Sequence, residues 1–206
     1  MELGVAIAVI IGLAIGGVLV VSFENRKRNT SPSGVSASKT SSVVQQDQSK
    51  DEHRANEVLV SAAHVFCTES FASRDDALSF ISNNAVKLGM ADDPDALMCA
   101  FIKRESEGST AMMDGFAIPH AKTDAVKNAG VIVLKVTEGI SAWESVDHQP
   151  VTCAIALLAP ESKAGTTHIK LLSEVAQALM DEDFRRTLKN ETDPELIADV
   201  VNVRLN

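Results

Sequence analysis

From Leu3 to Val21 the chain contains only Leu, Val, Ile, Ala and Gly, nineteen consecutive residues without a polar side chain. At a rise of about 1.5 Å per residue such a helix is roughly as long as the hydrocarbon layer of a bilayer is thick. The segment reads as one transmembrane helix. Glu2 precedes it and Arg26, Lys27 and Arg28 follow it, the reverse of a secretory leader. Cations on that flank predict that everything after Glu24 stays inside. The expected localisation is therefore the cell membrane, single-pass, with the remaining chain in the cytoplasm. Gly4, Ala8, Gly12 and Gly16 recur every fourth residue and would place a smooth stripe on one helix face. That stripe reads equally as a packing surface for another helix and as the plain composition of a Gly- and Ala-rich span.

From Asn29 to about Asp51 the composition turns to Ser, Thr, Gln and Asp, with seven serines and almost no large apolar side chain. Such a segment cannot bury enough apolar surface to fold and reads as a tether, with a reach of roughly 30 Å as a coil. The expected division is a transmembrane helix over 1–24, a flexible linker over 25–55 and one globular domain over 56–206. The 28 acidic and 19 basic residues give a formal charge of −9, and no basic stripe is present, which argues against nucleic acid as a partner. Cys67, Cys99 and Cys153 are widely spaced among apolar neighbours and form no Cys-x-x-Cys pair. They read as reduced core thiols rather than a disulfide or a metal site.

Within the domain, helix and strand signals alternate. Ser73 and Asp76 form a capping pair ahead of Ala77, Leu78, Ile81, Ala85 and Leu88 at helical spacing, and Gly89 closes the run. Asp93-Pro94 announces a second helix, with Leu97, Phe101 and Ile102 turned inward and an end near Arg104-Glu105. Gly115–Ile118, Val131–Val136 and Val151–Ala159 are short apolar runs bounded by turn residues and read as buried strands. A third helix is expected from about Thr167, with Ile169, Leu172, Val175, Ala176 and Leu179 on its apolar face. Two short ones should follow at Asp181 and Asp193-Pro194. The predicted fold is α/β, a single domain with a mixed sheet flanked by helices.

The segment Met112-Met113-Asp114-Gly115-Phe116-Ala117-Ile118-Pro119-His120-Ala121-Lys122 presents a histidine just after a strand and a proline. Near neutral pH an imidazole offers one unprotonated, nucleophilic nitrogen, provided its other nitrogen is held as N–H by an acceptor. The phosphoramidate it forms passes its group on readily. A lone histidine in a loop is otherwise an ordinary structural residue, so the surroundings decide.

Those surroundings resemble a family. Gly-Phe-Ala-Ile-Pro-His-Ala is similar to the phosphorylation-site signature of the fructose- and mannitol-type enzyme IIA domains of the bacterial sugar phosphotransferase system. The resemblance runs from about Val58 to Val201. It includes Arg104-Glu105, Trp143-Glu144-Ser145-Val146-Asp147 with Gln149-Pro150-Val151, the run Lys163 to Leu172, and Met180 to Arg185, these last two closest to the fructose class. The loop Ser109-Thr110-Ala111-Met112-Met113-Asp114-Gly115 departs from the family's Ser-Thr-Gly pattern. The resemblance implies a phosphotransferase component. His120 would accept a phosphoryl group from phospho-HPr as a tele-phosphohistidine and pass it to a cysteine on an enzyme IIB domain. His168 would be a supporting histidine and Arg104 the phosphate-binding cation. No metal or cofactor is implied. A neutral His168 at a helix start suits the positive helix end, and a guanidinium grips two phosphate oxygens while keeping its charge.

Two functions remain open at this level: a phosphocarrier for fructose-type sugar uptake, and a regulatory relative of the nitrogen-related branch that signals through its phosphorylation state. A metal-dependent hydrolase built on His120 and His168 lacks further ligands at metal spacing. The N-terminal helix is either an anchor that keeps the domain near its IIB and IIC partners or the last helix of a IIC-like domain. His53, His64 and His148 read as structural or exposed, Trp143 as a core cap or a partner contact, and Lys122 as solvated or touching phosphate.

Overall fold

The computed structural model describes residues 59–68, 70–163 and 167–205. The predicted transmembrane helix and linker lie outside the described residues. Among the described residues no helix is long and apolar enough to cross a membrane. The ordered elements are β1 (Val65–Thr68), α1 (Arg74–Lys87), α2 (Pro94–Ser106), β2 (Phe116–Ala117), β3 (His120–Lys122), β4 (Gly130–Ile140), β5 (Val151–Ala159), α3 (Thr167–Ala178), α4 (Glu182–Asn190) and α5 (Pro194–Leu205).

One mixed sheet of five strands organises them, in the order β1-β4-β5-β2, with β3 continuing beside β5. β1 runs parallel to β4, β4 and β5 pair antiparallel, and β2 and β3 run parallel to β5. Side chains alternate across this sheet. Ile132, Leu134, Ala154, Ala156 and Leu158 join Leu78, Ile81, Leu97 and Phe101 of α1 and α2. Val131, Val133, Ile155 and Leu157 join Leu171, Val175, Ile197 and Val201 of α3 and α5, with Phe184 and Leu188 of α4. Both faces are thus covered by helices, which is why β4 and β5 read as continuous apolar runs.

The predicted caps are made. Ser73 Oγ accepts from the Asp76 N–H at 3.1 Å, Asp93 Oδ1 from Asp95 and Ala96 at 2.9 and 3.0 Å, and Asp181 Oδ1 from Asp183 and Phe184 at 2.9 and 3.2 Å. Asn202 of α5 accepts the N–H groups of Leu59 and Val60 at 3.1 and 3.0 Å and donates to the Val60 carbonyl at 2.7 Å. This clamp fixes the segment entering β1, a strand too short for its period to be read from sequence.

Two expectations are corrected. Cys67 and Cys99 are exposed, and only Cys153 is a core thiol, pushed up to about 12 by burial. The apolar neighbours of Cys67 and Cys99 point to other sides of β1 and α2. Ile169 is 64% exposed, because the buried row of α3 runs through Leu171, Val175 and Ala178, which turns Ile169 outward beside His168.

Candidate functional site

β2 and β3 lie end to end along β5, interrupted at Ile118-Pro119. Proline offers no N–H to a ladder and is tolerated at such an edge position. On an edge strand, alternate residues turn their N–H and C=O away from the sheet, and Ile118 does so. Its N–H donates to the Thr110 carbonyl at 3.0 Å, and its carbonyl accepts from His120 Nδ1 at 2.8 Å. On the other side of the same ring, Arg104 Nε donates to His120 Nε2 at 2.8 Å. A carbonyl can only accept and a guanidinium can only donate, so the two contacts fix the tautomer. The proton sits on Nδ1, and Nε2 carries the lone pair.

The electrostatics agree. Burial is the largest influence on His120 and pulls its pKa down. The bond to Ile118 opposes it, the charges of Arg104 and His168 lower it further and Glu107 raises it. The outcome is about 4. His168 opens α3, its ring centroid 5.9 Å from that of His120 and inclined by 50°. It too is lowered, by burial and then by the Lys122 ammonium. Both imidazoles are neutral at physiological pH, and the cation beside each helps keep it so. Lys122 itself is paired with Glu161 at 3.1 Å and half exposed.

Arg104 ends α2 and also donates from Nη1 to the Gly108 carbonyl at 2.8 Å. Gly108 has φ +146, backbone that favours glycine, and lets the chain turn back under the guanidinium. The structure thus brings His120, Arg104 and His168 together. His148 lies apart in an exposed turn with φ 58, and His64 is half-buried in a short turn before β1, where its Nδ1 accepts from the Ser61 N–H at 3.2 Å. Trp143, 1% exposed, is part of the core against α1 and α2. Among the described residues no three His, Cys, Asp or Glu side chains converge as metal ligands.

Sequence reasoning missed two participants. The Ile118 carbonyl left no signal, since every residue carries one. Glu105 did leave one: it follows Leu97 and Phe101 at four-residue spacing, on the buried stripe of α2, where a carboxylate needs a partner.

The fold that positions these three side chains is shared by known proteins. Residues 58–203 match the family profile of the phosphoenolpyruvate-dependent sugar phosphotransferase system, EIIA 2, and the chain belongs to that family. It is 35% identical over 130 residues to the PTS system fructose-specific EIIA component of Haloferax volcanii, covering 63% of this chain and 83% of that protein. It is 37% identical over 136 residues to the nitrogen regulatory protein of Escherichia coli K12, covering 63% and 81%. The 2-O-alpha-mannosyl-D-glycerate-specific EIIABC component of E. coli K12 matches at 35% over 126 residues, which are 61% of this chain and only 19% of that protein. Among solved structures, the E. coli complex of enzyme IIAMTL with phosphorylated enzyme IIBMTL aligns with TM-score 0.57 at 24% identity, over 71% of this chain and 96% of that one. The chain is an EIIA-type phosphocarrier component of the sugar phosphotransferase system.

The neutral ring makes a testable demand. An unfolded histidine takes up its proton near 6.5, the folded one only near 4. Between these values the unfolded state holds more protons. The contribution of His120 to stability is therefore complete above about pH 6.5, falls as the pH drops through that window, and is lost by about pH 4. The loss is at most about 3 kcal/mol, and His168 acts in the same direction. A ring-proton NMR titration should show His120 uncharged at pH 5.

Proposed function

We propose that His120 is the phosphoryl acceptor and that its Nε2 attacks the phosphorus of a phosphorylated HPr. The observation that carries this reading is the pair of opposed hydrogen bonds on the ring. They leave a nucleophilic lone pair on the nitrogen that faces a fixed positive charge. As the Nε2–P bond forms, the bond from phosphorus to the donor breaks and its electron pair returns to the donor. Positive charge then develops on the ring and is stabilised by the Ile118 carbonyl through the Nδ1 proton. Arg104 must release Nε2 and turn its donors to the phosphoryl oxygens, where a guanidinium matches two of them at once. His168, neutral at the start of α3, is placed to donate to a third. The second transfer, to a cysteine thiolate of an enzyme IIB domain, reverses these steps. The IIAMTL–IIBMTL complex supports such a partner.

The fructose-specific relative supports sugar uptake of the fructose type as the pathway served. The nitrogen regulatory relative supports a second reading, in which the phosphorylation state of His120 is itself the signal. In either case residues 3–21 would hold the domain at the membrane, facing the cytoplasm. The test is to incubate the full-length chain with enzyme I, HPr and labelled phosphoenolpyruvate. Acid-labile, base-stable label that disappears in His120→Ala and persists at reduced rate in His168→Ala is expected. A folded parent chain that takes up no label would sink the proposal. Onward transfer of the label to a fructose-type IIB domain separates the uptake reading from the regulatory one.

A further inference from the structure

The side chain of Glu105 is 1% exposed and lies one residue from Arg104, yet its carboxylate bonds to Thr110 and not to the His120 ring. Its nearest cation, Arg74, stands 3.8 Å away, too far for a tight ion pair, and is itself held by Asp75 at 2.7 Å. The close partners of the carboxylate belong to Thr110. The Thr110 N–H donates to both carboxylate oxygens at 3.2 and 3.3 Å, and the Thr110 hydroxyl donates to one of them. Burying a carboxylate on such terms contributes little net stability, because an apolar side chain of similar volume would fill the same place without desolvation. What it does contribute is a fixed position for Thr110.

That position matters because of what Thr110 does next. Its carbonyl accepts from the Ile118 N–H, the Ile118 carbonyl accepts from His120 Nδ1, and His120 Nε2 accepts from Arg104, the residue adjoining Glu105. The bonds form a closed circuit that starts and ends on the last turn of α2. Each member orients the next: the N–H and C=O of Thr110, and those of Ile118, lie in successive peptide planes, and bonding both restrains the two dihedrals between them.

We infer that Glu105 is a positioning residue which, by anchoring Thr110, sets the Ile118 carbonyl so that the His120 proton stays on Nδ1 and Nε2 remains the nucleophile. The inference deepens the proposed role of His120 and rests on it for its kinetic consequence, while its structural consequence can be read without any phosphoryl donor. A free imidazole favours the other tautomer, with the proton on Nε2, so slackening the circuit should move His120 that way.

The experiment uses the full-length chain labelled with 15N in its five histidines. Long-range 15N–1H correlation reads which ring nitrogen of His120 is protonated, and single-turnover uptake from phosphorylated HPr reads the rate. Glu105→Ala should give a mixture containing the Nε2–H form and lose about ten- to a hundredfold in rate, with the half-saturating HPr concentration changed less than about twofold. Glu105→Gln, whose amide can both accept from the Thr110 N–H and donate to its hydroxyl, should recover part of both. Thr110→Val should shift the tautomer in the same direction by less, and it carries the test if Glu105→Ala does not fold. Emission of Trp143, the single tryptophan, reports folding of each variant. A folded variant that keeps the parent's tautomer and rate overturns the inference. A parent that takes up no phosphoryl group while its variants shift tautomer would overturn the proposed function and leave the positioning role standing.

Discussion

Arg104→Met should accept a phosphoryl group about ten- to a hundredfold more slowly than the parent, while its unfolding midpoint changes little. Two effects oppose each other in this variant. The guanidinium occupies the Nε2 lone pair at 2.8 Å, so removing it frees the nucleophile of a hydrogen bond. A bond to a charged donor contributes about 1.5 to 3 kcal/mol. Against this stands the loss of a preorganised charge from the place where phosphoryl oxygens must sit, about 2.7 to 4 kcal/mol for a single donor in comparable sites. Charge also draws in a dianion that the neutral histidines alone would not neutralise. The loss wins, and by more if both donor groups of the fork engage. Arg104→Lys should fall between, because an ammonium keeps the charge but not the fork. A second readout separates a local effect from a misfolded site. The Arg104 charge helps hold the His120 pKa down, so in Arg104→Met the ring should titrate above about 4. If transfer is unimpaired in a variant whose His120 has shifted, the assignment of phosphate binding to Arg104 fails.

Gly115→Ala should destabilise the domain by about 2 to 4 kcal/mol, lowering its melting temperature by roughly 5 to 15 °C at this size. Gly115 has φ +74, where a side chain is strained, and a Cβ there would stand 2.9 Å from Thr152 Oγ1 and 3.0 Å from the Pro150 carbonyl. Thr152 could rotate, but the peptide of Pro150 cannot move alone. The Gly115 carbonyl also accepts the N–H groups of Thr152 at 2.7 Å and Cys153 at 3.0 Å, so a backbone shift there loosens the start of β2 from β5. Asp114, beside it, takes φ +62 and binds Arg185 at 2.9 Å and Lys189, fastening the turn to α4. The check is thermal unfolding followed by Trp143 emission, and a midpoint within about 2 °C of the parent would show that the turn has more room than these contacts allow.

The helices were legible because their starts are written in local chemistry. Ser73, Asp93 and Asp181 satisfy orphan N–H groups of the first turn whatever the rest of the chain does. β5 was legible at both ends for a related reason, as a sheet strand buried on two faces needs an unbroken apolar run. β1 was not, because Val65–Thr68 is held by its partner β4 and by the Asn202 clamp, over a hundred residues away, rather than by its own pattern. At the site, the motif and its neighbours pointed to His120, Arg104 and His168, and the fold brings the three together. The acceptor for Nδ1 is a main-chain group two residues back, and whether it is available depends on β2 and β3 lying at the sheet edge. The departure at Ala111-Met112-Met113 left the loop shape open in the sequence. In the fold, Ala111 pairs with Ala117 and the Met112 N–H donates to the Phe116 carbonyl at 2.7 Å, closing a tight turn that keeps Thr110 within reach of Ile118.

The interruption of the edge strand at Ile118-Pro119 also bears on reversibility. Because the ring proton has a permanent seat on a carbonyl that can do nothing but accept, its departure would leave two lone pairs facing each other. On the proposed role of His120, a phosphoryl group can then arrive at and leave Nε2 with no ring proton exchanged with solvent. Loading and unloading become mirror images of one step. Between about pH 5 and 8 any dependence of the phosphoryl distribution on acidity should then come from the titrating groups of the partners and not from the His120 ring. Rates of transfer to His120 in deuterium oxide should match those in ordinary water.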